Sequence, residues 1–81
     1  MAKVTLSADL QAATGGAAEV QVSAVTYRDM VAELCERFPA LTEETIRKQA
    51  IAIDGMIIHS PLLESFHKDS ELVFVAKIAG G

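Results

Sequence analysis

Tryptophan is missing from this sequence, cysteine occurs once, at Cys35, and proline twice. A single cysteine excludes an internal disulfide. The only aromatic residues are Tyr27, Phe38, Phe66 and Phe74, so any core is mostly aliphatic. Basic residues are also scarce. Seven Lys and Arg stand against eleven Asp and Glu, a formal net charge of −4. The basic residues are scattered, which argues against a binder of nucleic-acid phosphates, because that needs clustered Lys and Arg. An acidic surface suits a partner with a basic docking surface and serves plain solubility equally. No stretch approaches the roughly 20 apolar residues of a membrane span. The start Met1-Ala2-Lys3-Val4 has no apolar signal core, so the expectation is a cytoplasmic, reduced protein.

What is present is one domain's worth of chain: 81 residues, 51% of them apolar, enough for a small core. Residues 3–8 alternate polar and apolar with Val4 and Leu6 inward, the period of a half-buried strand. Residues 9–16 read as a loop or weak helical turn closed by Gly15-Gly16. Residues 19–23 alternate again, so the two runs pair as a hairpin with a long loop. The period then changes. Met30, Val31, Leu34, Cys35 and Phe38 recur at helical spacing. Thr26 is the expected N-cap, with Asp29 in a capping-box position and Val25 and Met30 as a hydrophobic staple. Pro39 stops the helix at Phe38. A short second turn is expected from Thr42 to Arg47, and a strand from Gln49 to Asp54. Asp54-Gly55 is a tight-turn signal, followed by a short strand from Met56 to His59. Leu62-Leu63-Glu64 reads as a helical turn, 67–70 as a turn, and Glu71 to Ile78 as the last strand. The expected class is α+β: a mixed sheet of four to five strands on one main helix, with the first and last strands adjacent in the middle.

Catalytic constellations are missing. Cys35 lies on the apolar helix stripe with no charged partner assignable from sequence, so it reads as a small core hydrophobe or, as the alternative, a nucleophile. His59 and His67 have no second cysteine and no metal-ligand spacing. Gly15-Gly16 does not lead into the Lys-Ser/Thr helix start of a phosphate-binding loop.

The C-terminal end differs. The strand around Leu72-Val73-Phe74-Val75 gives way to Ala76-Lys77-Ile78-Ala79-Gly80-Gly81. Glycines lack side chains and reach dihedrals closed to other residues, so such a tail threads a channel that admits only backbone. An α-carboxylate, with a reference pKa of about 3.3–3.7, is ionised at neutral pH and is a poor electrophile. Transfer to AMP supplies a leaving group, and a sulfur nucleophile then attacks the acyl carbon to give a terminal thiocarboxylate. A frayed end is the bland alternative. In the last strand, Leu72, Phe74, Ala76 and Ile78 share one face, and Val73 and Val75 the other. A single helix covers one face only. Val73 and Val75, with either Ala50 and Ala52 or Ile51 and Ile53, would therefore form an uncovered docking patch, or else scattered surface valines.

The stretch Leu34-Cys35-Glu36-Arg37-Phe38-Pro39-Ala40-Leu41 resembles the Leu-x-x-Arg-(aromatic)-Pro-Gly-Leu segment of the ubiquitin-like sulfur carriers, with Ala40 in place of Gly. Ile53-Asp54-Gly55 is similar to that family's Val-Asn-Gly turn, Asp69-Ser70-Glu71-Leu72-Val73-Phe74 to its Gly-Asp-Glu-Val-x-Phe pattern, and Gly80-Gly81 to its invariant end. Ala76-Lys77 stands where the molybdopterin synthase small subunits usually carry Pro-Pro. Chain length and the long first loop lean toward that molybdopterin type over the thiamine type.

The resemblance implies a ubiquitin-like β-grasp domain over residues 1–78 with a tail at 79–81. It implies a carrier that is not itself an enzyme and holds no permanent cofactor. A ubiquitin-activating-type adenylyltransferase would use ATP to adenylate Gly81, and a persulfide donor would supply sulfur. The thiocarboxylate would then enter the large subunit of molybdopterin synthase or another acceptor. Val73, Val75, Lys77, Ile78, Ala79 and Gly80 would make the partner contacts. Rival readings are a thiamine-pathway carrier, a protein modifier joined through Gly81 to lysines, an interaction module with an inert tail, and a Cys35 enzyme.

Overall fold

A computed structural model describes residues 1–77 of the chain. Five strands form one sheet: β1 (Ala2–Thr5), β2 (Glu19–Val22), β3 (Gln49–Ile53), β4 (Met56–Ile58) and β5 (Glu71–Ala76). Three helices accompany them: α1 (Ala8–Gln11), α2 (Tyr27–Arg37) and α3 (Glu43–Arg47). The strand order is β2-β1-β5-β3-β4. β1 and β2 are the expected antiparallel hairpin. β5 lies in the middle, parallel to β1 and antiparallel to β3. This is the α+β, single-main-helix arrangement expected of a β-grasp domain.

Local chemistry sets the boundaries. The Thr26 hydroxyl accepts from Asp29 N at 3.2 Å, so the expected cap opens α2. The chain at the cap is further held by Tyr27 N to Glu64 O and Phe66 N to Val25 O. Val25 stays 44% exposed, so the expected staple adds little burial to Met30. The helix ends at Arg37, and Phe38 adopts the extended φ of −124° that a following proline favours. Ser7 and Thr42 cap α1 and α3 in the same manner as Thr26. At Asp54 and Gly55 both φ values are positive, 49° and 87°, as a two-residue type I′ hairpin requires. Nothing lies within 4 Å of a Cβ placed on Gly55, so it is the dihedral and not crowding that calls for glycine there. Leu62 to Glu64 is not helical. It forms a turn closed by Glu64 N to Pro61 O. The Glu33 carboxylate accepts from Ser23 N and Ala24 N and from Arg37 Nη2, which ties the end of β2 to α2.

The core lies between α2 and one face of the sheet. Val4, Leu6, Ile51, Leu72 and Phe74 meet Tyr27, Met30, Val31 and Leu34, all buried. Each fully buried aliphatic side chain contributes about 1.5–3 kcal/mol over leaving it in water. The expected helix stripe holds at Met30, Val31 and Leu34, while Cys35 and Phe38 are only half-buried at its margin. Tyr27 completes the stripe one turn earlier.

Candidate functional site

The two sheet faces diverge because strand side chains alternate. Pairing partners place Ile51 beside Phe74 and Ile53 beside Leu72 on the covered face, so Ala50 and Ala52 fall with Val75 and Val73 on the open one. This decides between the two sets left open by sequence. A continuous row runs Ile57, Ala52, Val73, Thr5, Glu19 across four cross-strand pairings. Ile57 is 58% exposed and Val73 37%, whereas Val75 is half-buried and Ala50 is 1% exposed. Ile57 escaped the sequence reading. The signal was there in the Asp54-Gly55 turn, because a two-residue loop sets Ile57 opposite Ala52.

β5 carries the expected tail root. Its first half pairs with β1 and its end, from Phe74 to Ala76, with β3, which sets the direction of that end. It stops at Ala76, two residues before the expected Ile78. The Lys77 ammonium donates to the carbonyl of Arg47 at 3.3 Å. Carbonyls at the end of a helix carry its partial negative charge and attract a cation. Lys77 thus sits against the end of α3 instead of projecting freely. Ile78, Ala79, Gly80 and Gly81, and with them the 78/79 boundary, lie outside the described residues.

Charges on the open face are unevenly placed. Near the start of β5, Lys3 bridges Glu19 at 3.8 Å and Glu71 at 3.7 Å. The Asp54 carboxylate accepts from Glu71 N at 2.9 Å and Ser70 Oγ at 2.8 Å. The Glu71 N–H first, and then the Ser70 hydroxyl, hold that carboxyl below its ordinary range against desolvation, with His67 as the least of the contributions.

Cys35 lines a cleft between α2, α3 and Leu62, with Tyr27, Arg28 and Arg47. Burial, and then the charge of Glu43, push its thiol up, so it is protonated at neutral pH and a weak nucleophile. Glu43 is a charged neighbour that sequence did not assign. Burial likewise raises the Tyr27 phenol, with Arg47 opposing and Glu43 adding. At about 270 Å³ the cleft falls below the roughly 300–1,000 Å³ of small-molecule sites. Among the described residues, no group of three or more His, Cys, Asp and Glu is placed to hold a metal ion, and no helix is long and apolar enough to cross a membrane.

No family model and no curated protein matches the chain. Solved structures do. Small archaeal modifier protein 1 from Methanosarcina acetivorans superposes with a TM-score of 0.73 at 22% identity, over 99% of this chain and 95% of that one. The same-named protein from Haloferax volcanii gives 0.65 at 22% identity, over 99% and 98%. Coverage of both chains is nearly complete, so the likeness spans the whole domain. The chain therefore has the ubiquitin-like β-grasp fold, shared with these two archaeal proteins.

Proposed function

We propose that this protein is a ubiquitin-like carrier that acts through the carboxylate of Gly81, and that its cargo is sulfur. One observation carries the reading: the central strand of a β-grasp sheet runs directly into a sequence ending Gly80-Gly81. A carboxylate oxygen of Gly81 attacks the α-phosphate of ATP in an activating-type adenylyltransferase and releases pyrophosphate. A persulfide sulfur then attacks the acyl carbon and expels AMP. Reduction of the resulting acyl disulfide by a thiol leaves the thiocarboxylate. The acceptor in this reading is the large subunit of molybdopterin synthase, with the thiamine pathway as the nearest alternative. Val73 and Val75 contribute to the docking face, Lys77 to the rim around the tail, and 78–80 to the threaded segment.

A second reading has Gly81 joined to lysines of other proteins. It is favoured by the likeness to small archaeal modifier protein 1. The two readings share adenylation and part afterwards. Intact mass after incubation with the activating enzyme, ATP and a persulfide donor is expected to show one oxygen exchanged for sulfur at Gly81. An unchanged mass, with an enzyme competent on another diglycine carrier, sinks the sulfur reading. Gly-Gly remnants on lysines of cellular proteins after proteolysis would establish the second.

A further inference from the structure

We infer that the cleft between α2 and α3 is a recognition site of its own, which takes one carboxylate side chain of a protein partner while apolar neighbours of that side chain rest on Leu62 and Leu63. The site lies on the helix side of the sheet, away from Val73 and Val75. The inference goes beyond the Gly81 reading and does not depend on it.

Tyr27 is 3% exposed, and its ring belongs to the core. Its hydroxyl makes no hydrogen bond among the described residues, yet it is not sealed from water. Two cavities meet at this side chain: the cleft of about 270 Å³, and a smaller one bounded by His59, Ser60 and Pro61. Burial keeps the phenol in its protonated form, so it has a hydrogen to donate. A buried polar group without a partner costs free energy that a ligand atom recovers.

The charges around the hydroxyl define the ligand. Two guanidiniums, Arg28 and Arg47, and one carboxylate, Glu43, line the cleft. Arg28 forms no ion pair among the described residues. Arg47 pairs with Glu43 at 3.6 Å, but both side chains are more than half exposed, and such a pair is worth little. A surplus cation beside a neutral donor suits a single anion. A carboxylate accepts two parallel bonds from a guanidinium and keeps a lone pair for the phenol. The cleft is smaller than most small-molecule sites and has room for one inserted side chain.

The walls define what flanks that carboxylate. Leu62 and Leu63 are both exposed and border a groove that shares Arg28 with the cleft. The turn that carries them is tied to α2 by Tyr27 N to Glu64 O, so leucines and guanidiniums keep a fixed spacing. Adjacent exposed leucines beside polar groups are a surface that a partner covers. Asp29 and Glu64 line the same groove and repel further carboxylates. The matching segment therefore carries one acidic residue between apolar ones, not an acidic run.

The test titrates the isotope-labelled full chain with the blocked peptide Ala-Leu-Glu-Leu-Ala, with Ala-Leu-Gln-Leu-Ala and with acetate, followed by two-dimensional NMR. The glutamate peptide is expected to bind with a Kd on the order of 1 mM, moving the amides of Arg28, Ala32, Leu62 and Leu63. It also slows labelling of the Cys35 thiol, which lines the same cleft. The glutamine peptide is expected to bind about tenfold more weakly, as is the glutamate peptide on Arg28→Gln or Tyr27→Phe. Since the hydroxyl has no partner among the described residues, Tyr27→Phe is expected to leave the urea midpoint unchanged or raised. Equal binding of the two peptides overturns the inference, because apolar adhesion alone would then explain it. So does acetate binding as tightly as the glutamate peptide, which would mark a small-anion site only. Amide shifts confined to Val73 and Ile57, no binding up to about 10 mM peptide, or a lowered urea midpoint for Tyr27→Phe overturn it as well. None of these results touches the Gly81 reading, which stands or falls on the mass of the adenylated and sulfurated chain.

Discussion

Leu72 and Val73 are neighbours in the chain and belong to different worlds. Leu72 is fully buried beneath the main helix, and Val73 is 37% exposed on the opposite side of the same strand. The covered face holds the domain together. The open face is where the proposed partner contacts fall. What the contrast teaches is that a strand of period two divides its side chains between core and surface when only one face meets a helix.

The most severe way to probe the covered face is Leu72→Ala. Truncating a buried leucine in a packed core costs about 3 kcal/mol, a large part of the roughly 5–15 kcal/mol that holds a small domain folded. Urea unfolding reads it as a lower midpoint at unchanged slope. A loss under about 1 kcal/mol would mean that β5 is not the centre of the core. Thr26→Ala tests the helix that does the covering. Loss of the cap to Asp29 N is expected to cost about 1 kcal/mol in the same assay.

Two further probes address polar groups at the margins of the sheet. Gln49 is buried at the start of β3, with its Oε1 left without a partner among the described residues and its Nε2 reaching Asp9 at 3.5 Å. An unsatisfied buried acceptor costs free energy, so Gln49→Met is expected to be neutral or stabilising by up to about 1 kcal/mol. A clear loss would show that the amide has a donor. Asp54 supplies the pH dependence. Its carboxyl is held below the ordinary 3.8 in the folded chain. Its stabilising contribution is therefore present above the unfolded-state pKa and disappears as pH falls through the folded value. Thermal midpoints of wild type and Asp54→Asn should differ at neutral pH and converge on acidification below that range. Parallel curves would place the acid sensitivity elsewhere.

The smallest effect belongs to the open face. Val73→Ala is expected to change stability by less than about 1 kcal/mol, since little area is removed from water there. If Val73→Ala destabilised as much as Leu72→Ala, the division of labour between the faces would fail.

Much of this was legible beforehand. Period-two runs placed β1 and β2, and the Thr26 cap and Pro39 bracketed the main helix. The Asp54-Gly55 pair located the second hairpin, because its turn needs the positive φ that these residue types tolerate. Where the reading slipped, burial decided against local pattern. Leu62 to Glu64 has helical composition but one turn of chain, too short to nucleate a helix without packing. Tyr27 was overlooked as a core residue because its polar tip disguises a large apolar ring. Cys35 sits on the stripe by spacing yet only at the edge of the core, because α3 and Leu62 leave a cleft beside it.

By itself the sequence determined the alternation in each strand, the start and stop of the helix, and the diglycine that carries the proposed chemistry, because these depend on neighbours along the chain. Only the tertiary structure decided that Ala50 and Ala52, and not the isoleucines between them, share a face with Val73 and Val75. The same is true of Ile57 joining that row, and of Lys77 meeting the carbonyl of Arg47. Register and long-range contact depend on which face the helix buries, and that choice is made by the whole core acting together.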